Sequence, residues 1–281
     1  MPDNDLARVW LGDDTGGRRV EPAEAHVSVF DHGFTVADGV FETIKVIDGV
    51  PFALSRHLRR LSSSAQALGM PVPESSLLHK AVGEVTSGSA GVGRLRITLT
   101  GGAGPMGSDR GDARRTLVLV HVPAPAWPAT TQAVVVPWRR NEHSALAGVK
   151  STSYAENVIA LDWAKQRGAS EALFANCAGH LCEGTGSNVF IVRDGVVSTP
   201  TLASGCLGGI TRELVIEWCD VIEEDLPMEA LASADEVFIT SSTRDVHPVS
   251  QIDGRQLPAP GPVSADIQRL FVKKAAEHPD P

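Results

Sequence analysis

The sequence predicts a mixed α/β or α+β protein built from two domains. The chain has 281 residues, and a single domain averages about 150 residues. Strand-like and helix-like segments follow one another through both halves of the chain. Between the halves, "HVPAPAWPAT" places three prolines within six residues, which is typical of a linker. We therefore predict an N-terminal α/β domain at 1–122, a linker at 123–130 and a C-terminal domain at 131–281.

The composition is that of an ordinary globular protein, with 42% hydrophobic and 21% charged residues. A net charge of −9 argues against nucleic acid or an anionic membrane as the main partner. The sequence has no run of about 18 apolar residues, and no apolar segment of a secretory signal stands near its start. The expected location is therefore the cytoplasm.

The cysteines do not form a recognisable metal or disulfide pattern. Cys177 and Cys182 stand five apart with His180 between them, but no second Cys/His pair stands at zinc spacing. A disulfide framework is not typical of a chain of this length without a secretion signal. We therefore expect four reduced thiols and no bound metal.

The N-terminal half begins with two candidate strands, "HVSVF" (26–30) and "VFETIKVI" (40–47), and the second ends at the hairpin signal Asp48-Gly49. A helix follows, with Ser55 as its N-cap and Gly69 at its end. Its apolar face recurs at intervals of three and four residues, at Leu54, Leu58, Leu61, Ala65 and Leu68. Beyond it, "RLRITLT" and "TLVLVHV" are strands on either side of the glycine-rich loop "GGAGPMGSDRG".

In the C-terminal half, "TQAVVVPW" is a candidate strand. A helix follows, with Ser153 and Glu156 as a capping box and Gly168 at its end. Further strands are predicted in "EALFAN" and "ADEVFITSS", and "NVFIVRDGVVST" is a hairpin that turns at Asp194-Gly195. A second helix begins within "GGITRELVIEWC".

Two residues could carry chemistry. Lys150 has small or apolar neighbours in "AGVKSTSY" rather than a run of charges. Such a lysine is either an ordinary solvated residue or a partly desolvated amine that acts as a nucleophile. Glu183, in the tight loop "CEGTGSN", is either a surface acid or a carboxylate held beside a cationic nitrogen. Neither residue alone decides between its two interpretations.

Two segments could bind an anion. Gly208 and Gly209 precede Ile210 and Thr211 at a helix start, where N–H groups and the helix dipole favour negative charge. The stretch "TSSTR" (240–244) adds hydroxyl groups at the end of a strand. A lysine, a carboxylate and phosphate donors together suit pyridoxal 5'-phosphate (PLP). This cofactor needs a lysine for its aldehyde, an acid for its ring nitrogen and an anion site for its phosphate.

The order of these motifs resembles that of the fold-type IV PLP enzymes, the class IV aminotransferase family. That family includes branched-chain aminotransferases, D-amino-acid transaminases and aminodeoxychorismate lyases. The resemblance covers roughly residues 26 to 254, and the matching stretches are "DHGFTVADGVFETIKV", "RHLRRLSSSA", "GVKSTSYAEN", "LCEGTGSNVF", "GGITRE" and "TSSTRDVHPV". It implies a smaller N-terminal α/β domain, a larger C-terminal domain with a β-barrel-like core, and a homodimer with its site at the domain interface.

The resemblance also implies a role for each matching residue. Lys150 falls on the Schiff-base lysine and Glu183 on the acid that pairs with the pyridinium nitrogen, so these are the expected catalytic residues. The expected cofactor contacts are Lys150, Glu183 and, around the phosphate, Arg56, Gly209, Ile210, Thr211, Ser241 and Ser242. The expected substrate pocket is lined by Phe41, Thr43, Lys45, Met106 and Thr243.

Within the family, the motifs favour an aminotransferase that acts on an amino acid with an apolar side chain and on a 2-oxo acid. Met106 and Ser108 stand where D-amino-acid transaminases carry an Arg and a His that bind the carboxylate, and "PMG" is similar to the Gly-Met-Gly of branched-chain enzymes. Aminodeoxychorismate lyase, which forms 4-aminobenzoate and pyruvate, stays open as the alternative and would use the same Lys150 and Glu183. A PLP-binding homologue without turnover stays open as well.

Overall fold

A computed structural model describes residues 6–281, whose contacts form two compact units. The first unit holds the described chain up to Ala126, together with Val149–Ser153 and Pro279–Pro281. The second unit holds the two stretches between these pieces, Trp127–Gly148 and Tyr154–His278. Each unit is built around one curled sheet with helices, so the predicted α/β fold class is confirmed.

The division between the units falls at Ala126, within the proline-rich stretch at 123–130. It differs from the continuous C-terminal domain predicted at 131–281, because Val149–Ser153 and the last three residues group with the first unit. In the described part of the chain, no helix is both long and apolar enough to span a lipid bilayer.

The sheet of the first unit has six strands within residues 6–126, and every pairing is antiparallel. The strands are β1 Arg8–Asp13, β2 Gly17–Val20, β3 Gly39–Ile47, β4 Val50–Pro51, β5 Val92–Thr100 and β6 Thr116–Pro123. They lie in the order β2-β1-β6-β5-β3-β4. The helices of this unit are α1 His32–Thr35, α2 Leu54–Ala67 and α3 Ser75–Thr86.

One face of this sheet forms the core of the first unit together with α2 and α3. Because side chains alternate between the two faces of a strand, the core residues of β3 lie on one face and Phe41 and Thr43 on the other. The predicted apolar face of α2 is confirmed, since Leu58, Leu61 and Ala65 are buried in this core. The strands contribute Trp10, Val40, Ile44, Val46, Leu95, Ile97, Leu99, Leu117 and Leu119 to the same core.

The prediction of a strand at "HVSVF" (26–30) is wrong, because this segment is irregular. Val27, Val29 and Phe30 are exposed on this chain. This segment therefore has no buried face of the kind that a strand presents to a core.

The prediction of Ser55 as the N-cap of α2 is also wrong. The helix begins at Leu54, directly after Ala53, whose side chain has no oxygen for capping. The carboxylate of Asp280 takes this role, since it accepts hydrogen bonds from the Ser55 main-chain N at 2.8 Å and from its Oγ at 2.5 Å. The predicted end is confirmed, because Gly69 has a φ of +64° and its N–H donates to Gln66 O.

The sheet of the second unit has nine strands, all within the fully described stretch 131–256. They are β7 Thr131–Arg140, β8 Glu171–Asn176, β9 Leu181–Gly184, β10 Asn188–Arg193, β11 Val196–Pro200, β12 Val221–Glu224, β13 Glu236–Ser241, β14 Asp245–Ile252 and β15 Arg255–Gln256. They lie in the order β12-β11-β10-β13-β14-β7-β8-β9, and β15 pairs with β14. The helices are α4 Ala155–Lys165, α5 Ile210–Trp218, α6 Ala230–Ser233 and α7 Pro262–Glu277.

This second sheet mixes parallel and antiparallel pairs. Strand β7 runs parallel to both β14 and β8, and β11 runs parallel to β12. Its apolar core includes Val189, Ile191, Val237 and Ile239 of the central strands. A separate cluster packs α4 against β7 and β8.

Local turn chemistry is predicted well in both units. The hairpins turn at Asp48-Gly49 and Asp194-Gly195, and all four residues have positive φ as the tightest hairpin turns require. The capping box at Ser153 and Glu156 is wrong, however, because α4 begins at Ala155 without a side-chain cap. Ser153 Oγ donates instead to Ala37 O at 3.3 Å.

Candidate active site

Lys150 lies in the first unit, where its segment is bonded to the beginning of β3. Phe41 N donates to Lys150 O at 3.0 Å, and Thr152 N donates to Gly39 O at 2.8 Å. From the helix side, Ser64 Oγ of α2 accepts from Lys150 N at 3.2 Å. The lysine is thus held through its main chain, which fixes where its side chain begins.

The Lys150 side chain reaches the open face of the sheet. Its Nζ lies 4.3 Å from the centroid of the Phe41 ring, and the guanidinium carbon of Arg96 lies 3.4 Å from the same centroid. Cations are attracted to the faces of aromatic rings at such distances. In the register of β3 and β5, Thr43 pairs with Arg96 and Lys45 with Arg94. This face therefore carries several cations around one buried ring, which suits anionic substrates.

On the opposite face of β3, the sequence analysis missed a buried polar cluster. Glu42 is fully buried, and Arg60 Nε and Nη2 of α2 donate to its two carboxylate oxygens at 2.8 and 2.7 Å. His57 Nδ1 lies 2.6 Å from the same carboxylate, so this nitrogen carries the proton. The burial of Glu42 could have been predicted from the sequence, because the alternation of β3 places it on the same face as Val40 and Ile44.

The pKa values in this cluster reflect competition between burial and charge. Burial alone would raise the pKa of the Glu42 carboxyl, but the Arg60 guanidinium and the His57 hydrogen bond outweigh it and lower this pKa to about 2. Burial lowers the pKa of His57, and the charges of Arg60 and Lys150 lower it further, against the opposing effect of Glu42. Glu42 and Arg60 are therefore an ionised pair at neutral pH.

Two further predicted site residues of the first unit are Arg56, expected at the phosphate, and Met106, expected in the substrate pocket. Arg56 Nε, in the first turn of α2, donates to Pro281 O at 2.9 Å, and its role at the phosphate stays a prediction. Met106 is 78% exposed in the loop between β5 and β6. Arg110 anchors that loop through two hydrogen bonds to Asp38, at 2.5 and 2.6 Å.

Glu183 lies on β9 in the second unit and is 14% exposed. Its Oε2 accepts from Leu207 N at 2.9 Å. Its Oε1 lies 3.2 Å from Arg140 Nε, but the N–H is not aligned on this oxygen, so the contact is an ion pair rather than a hydrogen bond. The carboxylate is thus oriented by a main-chain N–H and by a cation.

Arg140, at the end of β7, is a further residue that the sequence analysis missed. Its guanidinium lies over the Phe174 ring at 4.3 Å, and its Nη2 donates to Asn157 Oδ1 at 2.9 Å. Asn157 Nδ2 in turn donates to Thr185 O at 2.5 Å, in the loop that follows Glu183. No local sequence motif predicts the contact of Arg140 with Glu183, because this contact depends on the pairing of β7, β8 and β9.

The start of α5 fits an anion. Gly209 is the N-cap residue, and it has no side chain with which to cap the first N–H groups. A Cβ at Gly209 would collide with Asn188 Oδ1, so the close approach of these two segments requires glycine. Asn188 Nδ2 donates to Leu207 O at 2.7 Å, and Leu207 N binds Glu183. The predicted acid and the predicted phosphate site are therefore joined through one short segment.

The hydroxyl-rich turn lies at the same end of the second sheet. Thr240 of β13 pairs with Asn188 of β10, and Ser241 ends the strand. Arg244 N closes the turn onto Ser241 Oγ at 3.3 Å. Ser241, Ser242 and Thr243 thus follow directly the strand position that faces Asn188.

Each unit carries groups of the kind that bind PLP. The first unit has a lysine with its Nζ at an aromatic ring, and the second has an oriented carboxylate and a helix start preceded by glycine. These are the groups that bind an aldehyde, a ring nitrogen and a phosphate. No group of three or more His, Cys, Asp or Glu side chains in residues 6–281 is arranged to hold a metal ion.

Comparisons with known proteins agree with this chemistry. The model of the family described as amino-transferase class IV matches residues 39–252. A protein of Methanocaldococcus jannaschii, provisionally assigned as a branched-chain-amino-acid aminotransferase, is 36% identical over 250 residues, which are 85% of this chain and 87% of that protein. The D-alanine aminotransferase of Bacillus licheniformis is 30% identical over 270 residues, which are 90% of this chain and 93% of that protein.

A solved structure extends the similarity to the whole fold. The branched-chain aminotransferase of Thermoproteus uzoniensis, crystallised with norvaline, superposes with a TM-score of 0.87 and 32% identity. The match covers 97% of this chain and 97% of that one.

Proposed function

This chain belongs to the class IV aminotransferases, enzymes that use PLP, and we propose that it moves an amino group between an amino acid with an apolar side chain and a 2-oxo acid. The observation that carries this proposal is the position of Lys150, whose Nζ lies at the buried Phe41 ring on a cationic sheet face. At this place the Lys150 amine has an apolar ring on one side and cations nearby, which favours a substrate that carries a carboxylate.

Each residue of the proposed site has one task. When bound, PLP supplies an electron sink for the negative charge that develops at the substrate α-carbon. Lys150 Nζ would hold the cofactor and would move the proton at the substrate α-carbon as general base and acid. Glu183 would accept the ring N–H and keep that nitrogen protonated, and Leu207 N–H and Arg140 support this role by orienting the carboxylate.

The remaining groups are proposed to bind the phosphate of the cofactor and the substrate. The proposed phosphate contacts are the N–H groups at the start of α5 and the hydroxyls and arginine already predicted: Arg56, Gly209, Ile210, Thr211, Ser241 and Ser242. Phe41, Thr43, Met106 and Thr243 are the proposed wall of the substrate pocket. Lys45 is proposed to attract carboxylates, together with Arg94 and Arg96 on the neighbouring strand.

We further propose that the enzyme works as a homodimer. Val27, Val29, Phe30 and Phe34 leave large apolar side chains exposed in one short segment of the first unit. Concentrated apolar exposure of this kind marks surfaces that bind another protein chain. Sedimentation equilibrium should give twice the chain mass, and a monomer at micromolar concentration would contradict the proposal.

The test of the reaction is a single half-reaction. The PLP-loaded enzyme is mixed with individual L- and D-amino acids, and conversion of the cofactor absorbance to that of the aminated form is followed. Leucine, valine or alanine should drive the conversion. If no amino acid does so and aminodeoxychorismate yields 4-aminobenzoate, the enzyme is a lyase and the proposed reaction is wrong.

A further inference from the structure

Glu171 is a buried carboxylate to which neither the sequence motifs nor the proposed chemistry gives a role. It begins β8 and is only 1% exposed. A buried ionised group is stable only when enough partners replace its lost water. The identity of those partners therefore indicates what the residue is for.

One set of partners is the loop that follows Glu183. Glu171 Oε1 accepts from Thr185 N at 2.9 Å and also from Thr185 Oγ1, and Oε2 accepts from Ser187 Oγ at 2.9 Å. The loop passes so close that a Cβ at Gly184 would lie 3.1 Å from the Glu171 carboxyl carbon. Three donors from two loop residues thus converge on one carboxylate directly beyond Glu183.

A second partner belongs to the hydroxyl-rich turn. Arg244 Nη1 lies 3.9 Å from Glu171 Oε2, its Nη2 donates to Ser170 O at 3.2 Å, and its guanidinium lies over the Trp127 ring at 4.1 Å. Burial lowers the pKa of Arg244, and the Glu171 carboxylate opposes this shift. Arg244 directly follows Ser241, Ser242 and Thr243, so its position also sets theirs.

We propose that Glu171 is a positioning residue that ties the Glu183 loop to the turn at Ser241–Arg244, so that the ring-nitrogen acid and the phosphate hydroxyls are held in one fixed relation. The inference rests on the proposed cofactor site. Glu171 touches neither cofactor nor substrate; it acts through Thr185 and Ser187 on one side and through Arg244 on the other. Hydrogen-bonded partners behind a ligand typically change its affinity about 10- to 100-fold when they are removed, as is known for metal sites.

The experiment compares Glu171→Gln with the wild type as apoprotein titrated with PLP. Glutamine keeps the shape and a carbonyl oxygen for Thr185 N, but it places an N–H donor towards Ser187 and Arg244. We expect PLP affinity to fall about 10- to 100-fold. We also expect the pH at which the visible band of bound PLP titrates to shift, because the Glu183 loop is no longer fixed. Ser187→Ala, which removes only one donor, should move both quantities in the same direction by less.

Glu236→Gln is the matched control. Glu236 is equally buried in the second unit and accepts from Val263 N, Ser264 N and Ser264 Oγ at 2.5–2.9 Å, where it holds the start of α7. It should lower the thermal unfolding midpoint and leave PLP affinity and the pH titration unchanged. If Glu171→Gln and Ser187→Ala also leave both unchanged while wild type binds PLP, the inference is overturned. If wild type binds no PLP, the proposed function fails and the inference with it.

Discussion

The two units hold their charged site residues in different ways. In the first unit, the main chain of Lys150 is hydrogen bonded to β3 and α2, and its ammonium lies at the face of the Phe41 ring. In the second unit, Glu183 and Glu171 are held directly at their carboxylates by converging N–H and O–H groups. Main-chain hydrogen bonds fix where the lysine side chain begins, whereas the bonds to Glu183 and Glu171 fix the carboxylate oxygens themselves.

This difference matches the tasks proposed for the two groups. Lys150 is proposed to change partners during each half-reaction, and its hydrogen-bonded main chain keeps the start of the side chain in place while it does so. Glu183 has to face the same ring nitrogen throughout, so a fixed carboxylate suits it. The first unit has a fixed carboxylate of its own in Glu42, but this one lies on the opposite face of β3 and is fully buried.

The largest effect should come from Lys150→Ala. Without the amine, the first half-reaction loses its covalent anchor and its base, and we expect its rate to fall about 10⁴-fold. The half-reaction and the visible band of bound PLP are both measured. Lys80→Ala, at a 70% exposed lysine of α3, is the control and should change neither. Near-native rates in Lys150→Ala would remove Lys150 from the site.

The next largest effect should come from Glu42→Gln. Removing one member of a buried ion pair costs about 3–5 kcal/mol, because the other charge stays buried. We therefore expect the free energy of unfolding at pH 7, measured in urea, to fall by about that amount. Glu84→Gln, at a surface pair on α3, should have little effect.

The same variant tests a pH dependence. The Glu42 pKa is about 2 when folded, against an ordinary value of 4.5. Its contribution is therefore complete above pH 4.5 and is lost as pH falls through 2. The wild type should lose about 3 kcal/mol more than Glu42→Gln between pH 5 and pH 2. Parallel stability curves in this window would mean that Glu42 is not an ionised partner of Arg60.

Glu183→Gln should have a smaller effect on the reaction than Lys150→Ala. Glutamine still accepts from Leu207 N, so PLP should bind, but the ring nitrogen loses its charged partner. We expect proton transfer to slow about 10²- to 10³-fold in stopped-flow measurements. Glu156→Gln removes another partner of Arg140 without touching Glu183 and serves as the control. Equal rates in wild type and Glu183→Gln would show that the fixed carboxylate has a different task.

The smallest effect should come from Asp280→Ala. This change removes the acceptor for Ser55 at the start of α2, and helix caps contribute about 1 kcal/mol. We expect the free energy of unfolding to fall by about that amount. Asp266→Ala, at an exposed pair on α7, is the comparison, and it should lower the free energy of unfolding by less than half as much. A loss above about 3 kcal/mol would mean that Asp280 does more than cap a helix.

Features that depend on neighbours in sequence could be predicted. The face of α2 and the two Asp-Gly hairpins each lie within a stretch of fewer than 20 residues, and the roles given to Lys150, Glu183 and Ile210 by their local motifs stay predictions. Features that depend on distant pairing could not. Arg140 meets Glu183 only because β7, β8 and β9 pair side by side, and Ser55 meets Asp280 across 225 residues. The cap of α2 and the Arg140 partner of Glu183 were missed for this reason.

The discontinuous make-up of the first unit has a consequence during synthesis on the ribosome. Its sheet is complete once β6 has been made, but the acceptor for Phe41 N arrives with Lys150, and the cap of α2 arrives with Asp280. At ordinary translation rates the stretch from Ala126 to Pro279 takes roughly 10–30 s. During that interval the nascent first unit lacks Asp280, which caps the start of α2, and for the first part of it also lacks Lys150. The last residues of the first unit are thus made after the whole of the second unit.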